Sequence, residues 1–225
     1  MVHVQPWSLP EVCDIATGAL ASEATRLDLE QATYGLDAKD ELSLHAVLRE
    51  GFASAQFGVL AEQRYPQSRA RRRRSEGERC DIVLTPAPEQ ALTDPLLDDT
   101  LFAGQGVSPR GALWLEVKIA RQFALTDGVA GPSPWYTTQL LTAATADVRK
   151  LVRESGVNFA CLLLVLFTRD AATAKYDLDV WLSRCLDHNL PIEAPIIGRF
   201  AIADRLGNES CTVSLTRIKP ARRHD

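Results

Sequence analysis

The chain has 225 residues, 46% hydrophobic and 24% charged, with 29 acidic against 25 basic side chains for a net charge of −4. That is enough apolar material to bury the core of one large domain or two small ones, and it excludes disorder as the main state. The longest apolar run, 159–167, falls far short of the roughly 20 residues of a spanning helix, and the first residues lack the basic and apolar regions of a signal peptide. A cytoplasmic protein with no membrane partner is expected.

Residues 1–39 carry two short helical patches, 9–21 and 24–34, and read as a helical N-terminal extension to a domain over 40–225. Asp40 is placed to cap a long helix reaching about Gln63. Leu44, Leu48, Phe52, Ala55 and Val59 form one stripe on it, with Ala46, Ala53, Phe57 and Leu60 nearly opposite; Tyr65-Pro66 would end it. Two strands are expected next, one across a run of arginines and one over 79–85. Residues 86–111, with four prolines, three glycines and the acids Glu89, Asp94, Asp98 and Asp99, read as an irregular insertion. A strand over 112–119, a Gly/Pro loop over 126–134 and a helix from Pro134 to about Ser155 lead through Gly156 into a uniformly apolar strand, 159–168, suited to the centre of a sheet. Strand-like stretches at 176–182, 196–203 and 211–218 close the chain. This alternation predicts an α/β fold with a central mixed β-sheet flanked by helices.

Five scattered cysteines and four scattered histidines give no metal-clip or redox spacing. Gly104-Gln105-Gly106 does not complete a dinucleotide fingerprint, and no phosphate loop ends in Lys-Ser or Lys-Thr. Charge is uneven. Seven arginines (64, 69, 71, 72, 73, 74, 79) face only Glu76 and Glu78 between positions 64 and 79. Such a stripe on an acidic body can hold a polyanion locally, and it can also serve as a solvated strand edge.

Side chains alternate faces along a strand. In Leu113-Trp114-Leu115-Glu116-Val117-Lys118 the three aliphatic residues point one way, and Trp114, Glu116 and Lys118 the other. In Arg79-Cys80-Asp81-Ile82-Val83-Leu84 the residues Cys80, Ile82 and Leu84 take the core face and Asp81 the opposite one. If the strands pair, Asp81 and Glu116 converge. Two carboxylates about 4 Å apart repel by roughly 4 kcal/mol at an effective dielectric near 20, so the pair calls for a proton or a cation. Oxygen donors favour a hard divalent ion, Mg2+ above all.

Asp81 followed by Glu116-Val117-Lys118 on successive strands after an acidic helix resembles the PD-(D/E)XK nuclease superfamily, over roughly 41–170. Cys80 stands where that family's motif nominally has proline. The resemblance implies a restriction-endonuclease-like core and a nuclease dependent on Mg2+, with Mn2+ as substitute. It implies Asp81, Glu116 and Lys118 as the catalytic set, with Glu50 joining Asp81 and Glu116 on the metal and Glu41 as the alternative helix carboxylate. Tyr136-Thr137-Thr138-Gln139 resembles the Tyr and Gln of the recombination-exonuclease subgroup, which makes Gln139 a candidate for positioning substrate; that subgroup's second aromatic falls at Ala143. Asp147 and Lys150 on the same helix also resemble a family pattern and serve equally as a surface ion pair. Arg71, Arg73 and Arg121 are the expected phosphate contacts. The implied partner is nucleic acid, DNA first. Cutting both strands commonly calls for two active sites, hence a homodimer. The competing expectation is a catalytically inactive nucleic-acid-binding or protein-interaction module on the same fold.

Overall fold

The computed structural model describes residues 7–66, 78–93 and 106–219. Helix α1, Leu9–Leu29, starts where the Ser8 hydroxyl accepts the Glu11 amide N–H and Pro10 occupies the first turn. It is one helix rather than two patches. Its stripe Val12, Cys13, Ala16 and Leu20 is buried in the same cluster as α2 and the sheet. The residues before 40 therefore share the core of the domain instead of forming an appendage to it.

Helix α2, Glu41–Ser54, is capped by Asp40, whose carboxylate accepts the Ser43 N–H at 2.6 Å. It buries Leu44, Leu48 and Phe52. The helix stops well before the expected Gln63. Gln56 takes a left-handed conformation (φ 66°), its N–H bonds to Ala53 O, and Phe57 N–H reaches back to Phe52 O. That pair of bonds satisfies the last carbonyls of the helix and turns the chain out of it. The following residues form strand β1, Gly58–Arg64, paired antiparallel with β2, Arg79–Thr85. The apolar residues that continue the helical stripe are thus sheet residues, because strand pairing outweighs local helix preference. β1 ends at Arg64, where the arginine run begins, and most of the strand expected across that run falls outside the described residues. Arg71 and Arg73 fall in 67–77, outside the described residues.

Strand β3, Leu113–Arg121, is followed by a hairpin of β4, Phe123–Thr126, and β5, Val129–Pro132, where only a loop is expected. Its turn residues Asp127 and Gly128 both have positive φ, 52° and 80°, which matches the right-handed twist of the flanking strands. A helical stretch then begins at Tyr136, passes through a π-helical segment Thr138–Ala143 and continues as α3, Ala144–Arg153. Strand β6, Phe159–Thr168, returns parallel to β3, which closes a strand–helix–strand crossover. The stretch expected as a strand at 176–182 is instead part of helix α4, Ala171–Asp187. Its buried Ala174, Leu178, Trp181 and Cys185 repeat at helical spacing. Strands β7, Ile196–Ala201, and β8, Ser210–Ile218, complete a six-stranded mixed sheet of order β1-β2-β3-β6-β8-β7. Only the β3–β6 pair is parallel. Helices α1 and α2 cover one face, α3 and α4 the other. No helix among the described residues is long and apolar enough to cross a membrane.

Candidate active site

The pairing of β2 with β3 sets Ile82 against Leu115 and Val83 against Trp114. One step further along this register brings Asp81 beside Glu116. The Asp81 Oδ2 accepts the Val117 amide N–H at 2.8 Å, which fixes the carboxylate against β3. Alternation is broken at this point. Cys80 packs with Tyr65, Val83 and Trp114 on the α3 face, not with Ile82 and Leu84 on the α2 face as the sequence pattern suggests. On β1, Glu62, between the residues that pair with Cys80 and Ile82, has a positive φ of 51°, so the ladder is locally distorted around Asp81.

Glu116 is buried, 3% exposed. Its Oε1 accepts the Tyr65 hydroxyl and faces Lys150 Nζ at 2.7 Å. The same ammonium donates to Arg79 O at 2.5 Å and lies 5.1 Å from the Tyr65 ring centroid. Tyr65 stacks on Trp114, centroids 5.3 Å apart, and the Trp114 indole donates to Pro109 O. Trp114 is thus the floor under the site and not a surface aromatic. Burial, and then Asp81, push the Glu116 carboxyl up to about 7 against the opposing pull of Lys150.

Lys118, two residues along β3, reaches two helices. Its Nζ lies 3.3 Å from Glu41 Oε1 at the start of α2 and 3.5 Å from Asp147 Oδ2 on α3. Burial works against the ammonium, but Asp147 and Glu41 more than offset it, so its pKa rises and it stays protonated. Burial likewise raises the Asp147 carboxyl, with Lys118 as the main opposing charge. Asp81 is felt electrostatically by Glu116, Lys118 and Asp147. The constellation holds four carboxylates (Glu41, Asp81, Glu116, Asp147) and two ammonium groups, an excess of two negative charges once Glu116 is ionised.

Comparison of the chain with protein-family models, curated proteins and solved structures gives no match.

The helix carboxylate next to Lys118 is Glu41. Glu50 lies nine residues on, about 13 Å along the axis at 1.5 Å per residue. It is exposed and lines a groove between α1 and α2 with Ser22, Glu23 and Arg26. Its helical phase puts it on the α1 side, so it is not a ligand of this centre. Arg121 is also redirected. Its Nε donates to Asp37 O at 2.7 Å and its terminal nitrogen to Lys39 O, and the guanidinium lies over the Phe167 ring. These donors hold the turn before α2 and are not offered to a phosphate. Gln139 is two turns before Asp147, about 12 Å along the helix. Its Oε1 is buried without a hydrogen-bond partner among the described residues. Tyr65 was legible in sequence only as the end of a helix. Its role depends on a strand pairing that no local pattern encodes.

Among the described residues no three His, Cys, Asp or Glu side chains form a metal-holding group. Mg2+ does not require one, since it keeps several waters and is commonly bound through one or two carboxylates together with substrate phosphates. Two oxygen-donor carboxylates within a surplus of two negative charges fit such an ion. Among the described residues the contacts to Glu116 fall on Oε1 and that to Asp81 on Oδ2, so the second oxygen of each is the candidate donor to a cation.

Proposed function

We propose that the chain is a divalent-metal-dependent phosphodiester hydrolase, a nuclease acting on DNA, on a restriction-endonuclease-like core. The observation that carries this reading is the approach of Asp81 to Glu116 on neighbouring strands, with Lys118 two residues along the same strand. Asp81 and Glu116 would hold Mg2+ or Mn2+, which when bound supplies an activated water and neutralises charge at phosphorus. Glu41 and Asp147 keep Lys118 protonated, so it orients the attacking water or steadies the charge that develops on the phosphate, and does not act as a base. The buried Tyr65 hydroxyl and Lys150 hold Glu116 in one orientation. Arg64 of β1 pairs with Arg79 of β2, two residues before Asp81, so the first and last arginines of the run stand beside this centre. That placement favours a polyanionic substrate. Five free cysteines, all buried, suit a cytoplasmic setting, and a homodimer would place one centre on each strand of a duplex.

The test is cleavage of plasmid and oligonucleotide DNA with Mg2+ or Mn2+. Asp81→Ala and Lys118→Ala are each expected to lose about 10²–10³-fold in rate, the size typical of removing one transition-state contact. Wild-type protein that cuts no better than these variants would overturn the reading. One observation favours a second reading: Lys150 already neutralises Glu116. A binding-only module would need no other cation there. Calorimetry separates the two, because that module shows no Mn2+ binding that depends on Asp81 and Glu116.

A further inference from the structure

Of the four tryptophans, all within the described residues, three are buried; Trp135 alone is exposed, at 66%. The indoles of Trp7 and Trp114 donate to carbonyls of the chain, Gly111 O and Pro109 O. Trp135 follows the β4–β5 hairpin, whose Val129 is 70% exposed, and stands after the exposed Pro132 and Pro134. An indole this open offers a flat apolar face on which a planar ligand can stack.

The position of Trp135 indicates what covers it. Trp135, Gln139, Ala143 and Asp147 follow one another at intervals of four, and Asp147 reaches Lys118 at 3.5 Å. In an α-helix each four-residue step overshoots a full turn. In the wider π-helical segment Thr138–Ala143 it falls short, so the two drifts offset each other and the four residues keep to one side. Tryptophan thus lies on the same helical stripe as the centre, about 18 Å from Asp147 along the axis. Between them Ala143 adds no bulk, and the Gln139 Oε1 is buried without a partner among the described residues. Charge agrees with this path. In an acidic chain, positions 122–140 carry a single charged residue, Asp127 in the hairpin turn, and the acid that reaches this segment from α4, Asp177, is engaged by the Tyr136 hydroxyl at 2.7 Å.

We propose that Trp135, with Gln139 beside it, is a stacking subsite for an unpaired nucleobase of single-stranded DNA whose backbone continues to the Asp81–Glu116 centre. The proposal rests on the nucleic-acid reading above and narrows it to a substrate with a single-stranded segment. An indole face accepts any base, so the subsite is expected to be tolerant of sequence. A base stacked inside a duplex has no free face to offer, so a blunt duplex gains nothing from it.

The test is binding in EDTA, where cutting is suppressed. Poly-thymidine oligonucleotide is titrated against wild-type protein while tryptophan emission is followed, with a blunt duplex of equal length as the comparison. The single strand is expected to quench the emission and the duplex to leave it nearly unchanged, since the three buried indoles cannot be reached. With a labelled oligonucleotide, Trp135→Ala is expected to bind the single strand about 5- to 150-fold more weakly, Trp135→Phe to stay within a few-fold of wild type, and both to bind duplex as wild type does. Equal single-strand affinity in Trp135→Ala, or an emission that shifts with protein concentration alone as a second copy covers the indole, overturns the proposal. Quenching without any metal-dependent cutting would leave the subsite standing and remove the hydrolase, whereas cutting without quenching would do the reverse.

Discussion

The two faces of the sheet bury different things. Under α1 and α2, strands β2, β3, β6 and β8 present an unbroken apolar surface: Ile82 and Leu84, then Leu113, Leu115, Val117 and Ile119, then Cys161, Leu163, Val165 and Phe167, then Cys211, Val213 and Leu215. Under α3 and α4 the intervening residues of the same strands mix apolar side chains with Glu116, Lys118, Thr212, Ser214 and Thr216. One face obeys the rule that large apolar side chains stabilise a fold by leaving water. The other holds groups whose burial is unfavourable, which makes it the face on which charge can act in a low dielectric. Apolar packing and buried charge are divided between alternate residues of single strands.

The sharpest way to break this division is to cut the apolar face and watch the polar one. Phe52 on α2 is fully buried. Phe52→Ala is expected to lower unfolding free energy by about 3–5 kcal/mol in urea titrations, while each molecule that remains folded keeps wild-type cutting, because Glu41, the centre's residue on this helix, lies eleven positions away, about 16 Å along the axis. A loss of specific activity in the folded fraction comparable to that of Lys118→Ala would show that the faces are coupled after all.

The polar face should reveal itself through pH. The Glu116 carboxyl is raised from 4.5 to about 7, so between those values the folded state binds a proton that the unfolded chain has released. Stability contributed by this group is present below pH 4.5 and is lost as pH rises through 7. Urea midpoints in EDTA are expected to fall across that window, and Glu116→Gln to flatten the fall. A midpoint that rose from pH 5 to 7 in wild type and variant alike would contradict the burial assigned to Glu116.

The same contrast explains what the sequence disclosed. Uniform or alternating apolar runs over 113–119, 159–168 and 211–218 read as strands, and the mixed sheet followed from them. The motif residues Asp81, Glu116 and Lys118 were legible because strand periodicity puts Glu116 and Lys118 on one face whatever lies beyond them. Partners that approach from elsewhere were not. Tyr65 reaches Glu116 only because β1 pairs with β2, and β1 itself was hidden in a stripe that Leu44, Leu48 and Phe52 made look helical. The choice between Glu41 and Glu50 depended on which face of α2 meets α1. Helix α4 was mistaken for a strand because Tyr176, Val180 and Leu182 alternate locally, whereas its buried Leu178, Trp181 and Cys185 repeat over a longer interval.

Arg121 provides a smaller test. If its guanidinium holds Asp37 O and Lys39 O, Arg121→Ala is expected to cost about 1.5–3 kcal/mol of stability, the range for hydrogen bonds from a charged donor. The slope of DNA affinity against salt would stay unchanged. A phosphate contact predicts the opposite pattern, with the slope reduced by about one and stability intact.

The smallest effect separates a polar face kept for chemistry from one that is merely polar. Thr212, Ser214 and Thr216 of β8 are buried, and their hydroxyls find no hydrogen-bond partner among the described residues. Thr216 lies opposite Leu162, in an apolar neighbourhood two strands away from Glu116. Thr216→Val keeps the shape and strand preference and removes a hydroxyl whose burial without a partner costs about 1–3 kcal/mol. A gain of about 1 kcal/mol in urea, with cutting unchanged, is expected. A loss would mean that the hydroxyl is bonded to an ordered water, and the polar character of this face would then extend across β8 as a hydrated layer instead of ending at β3.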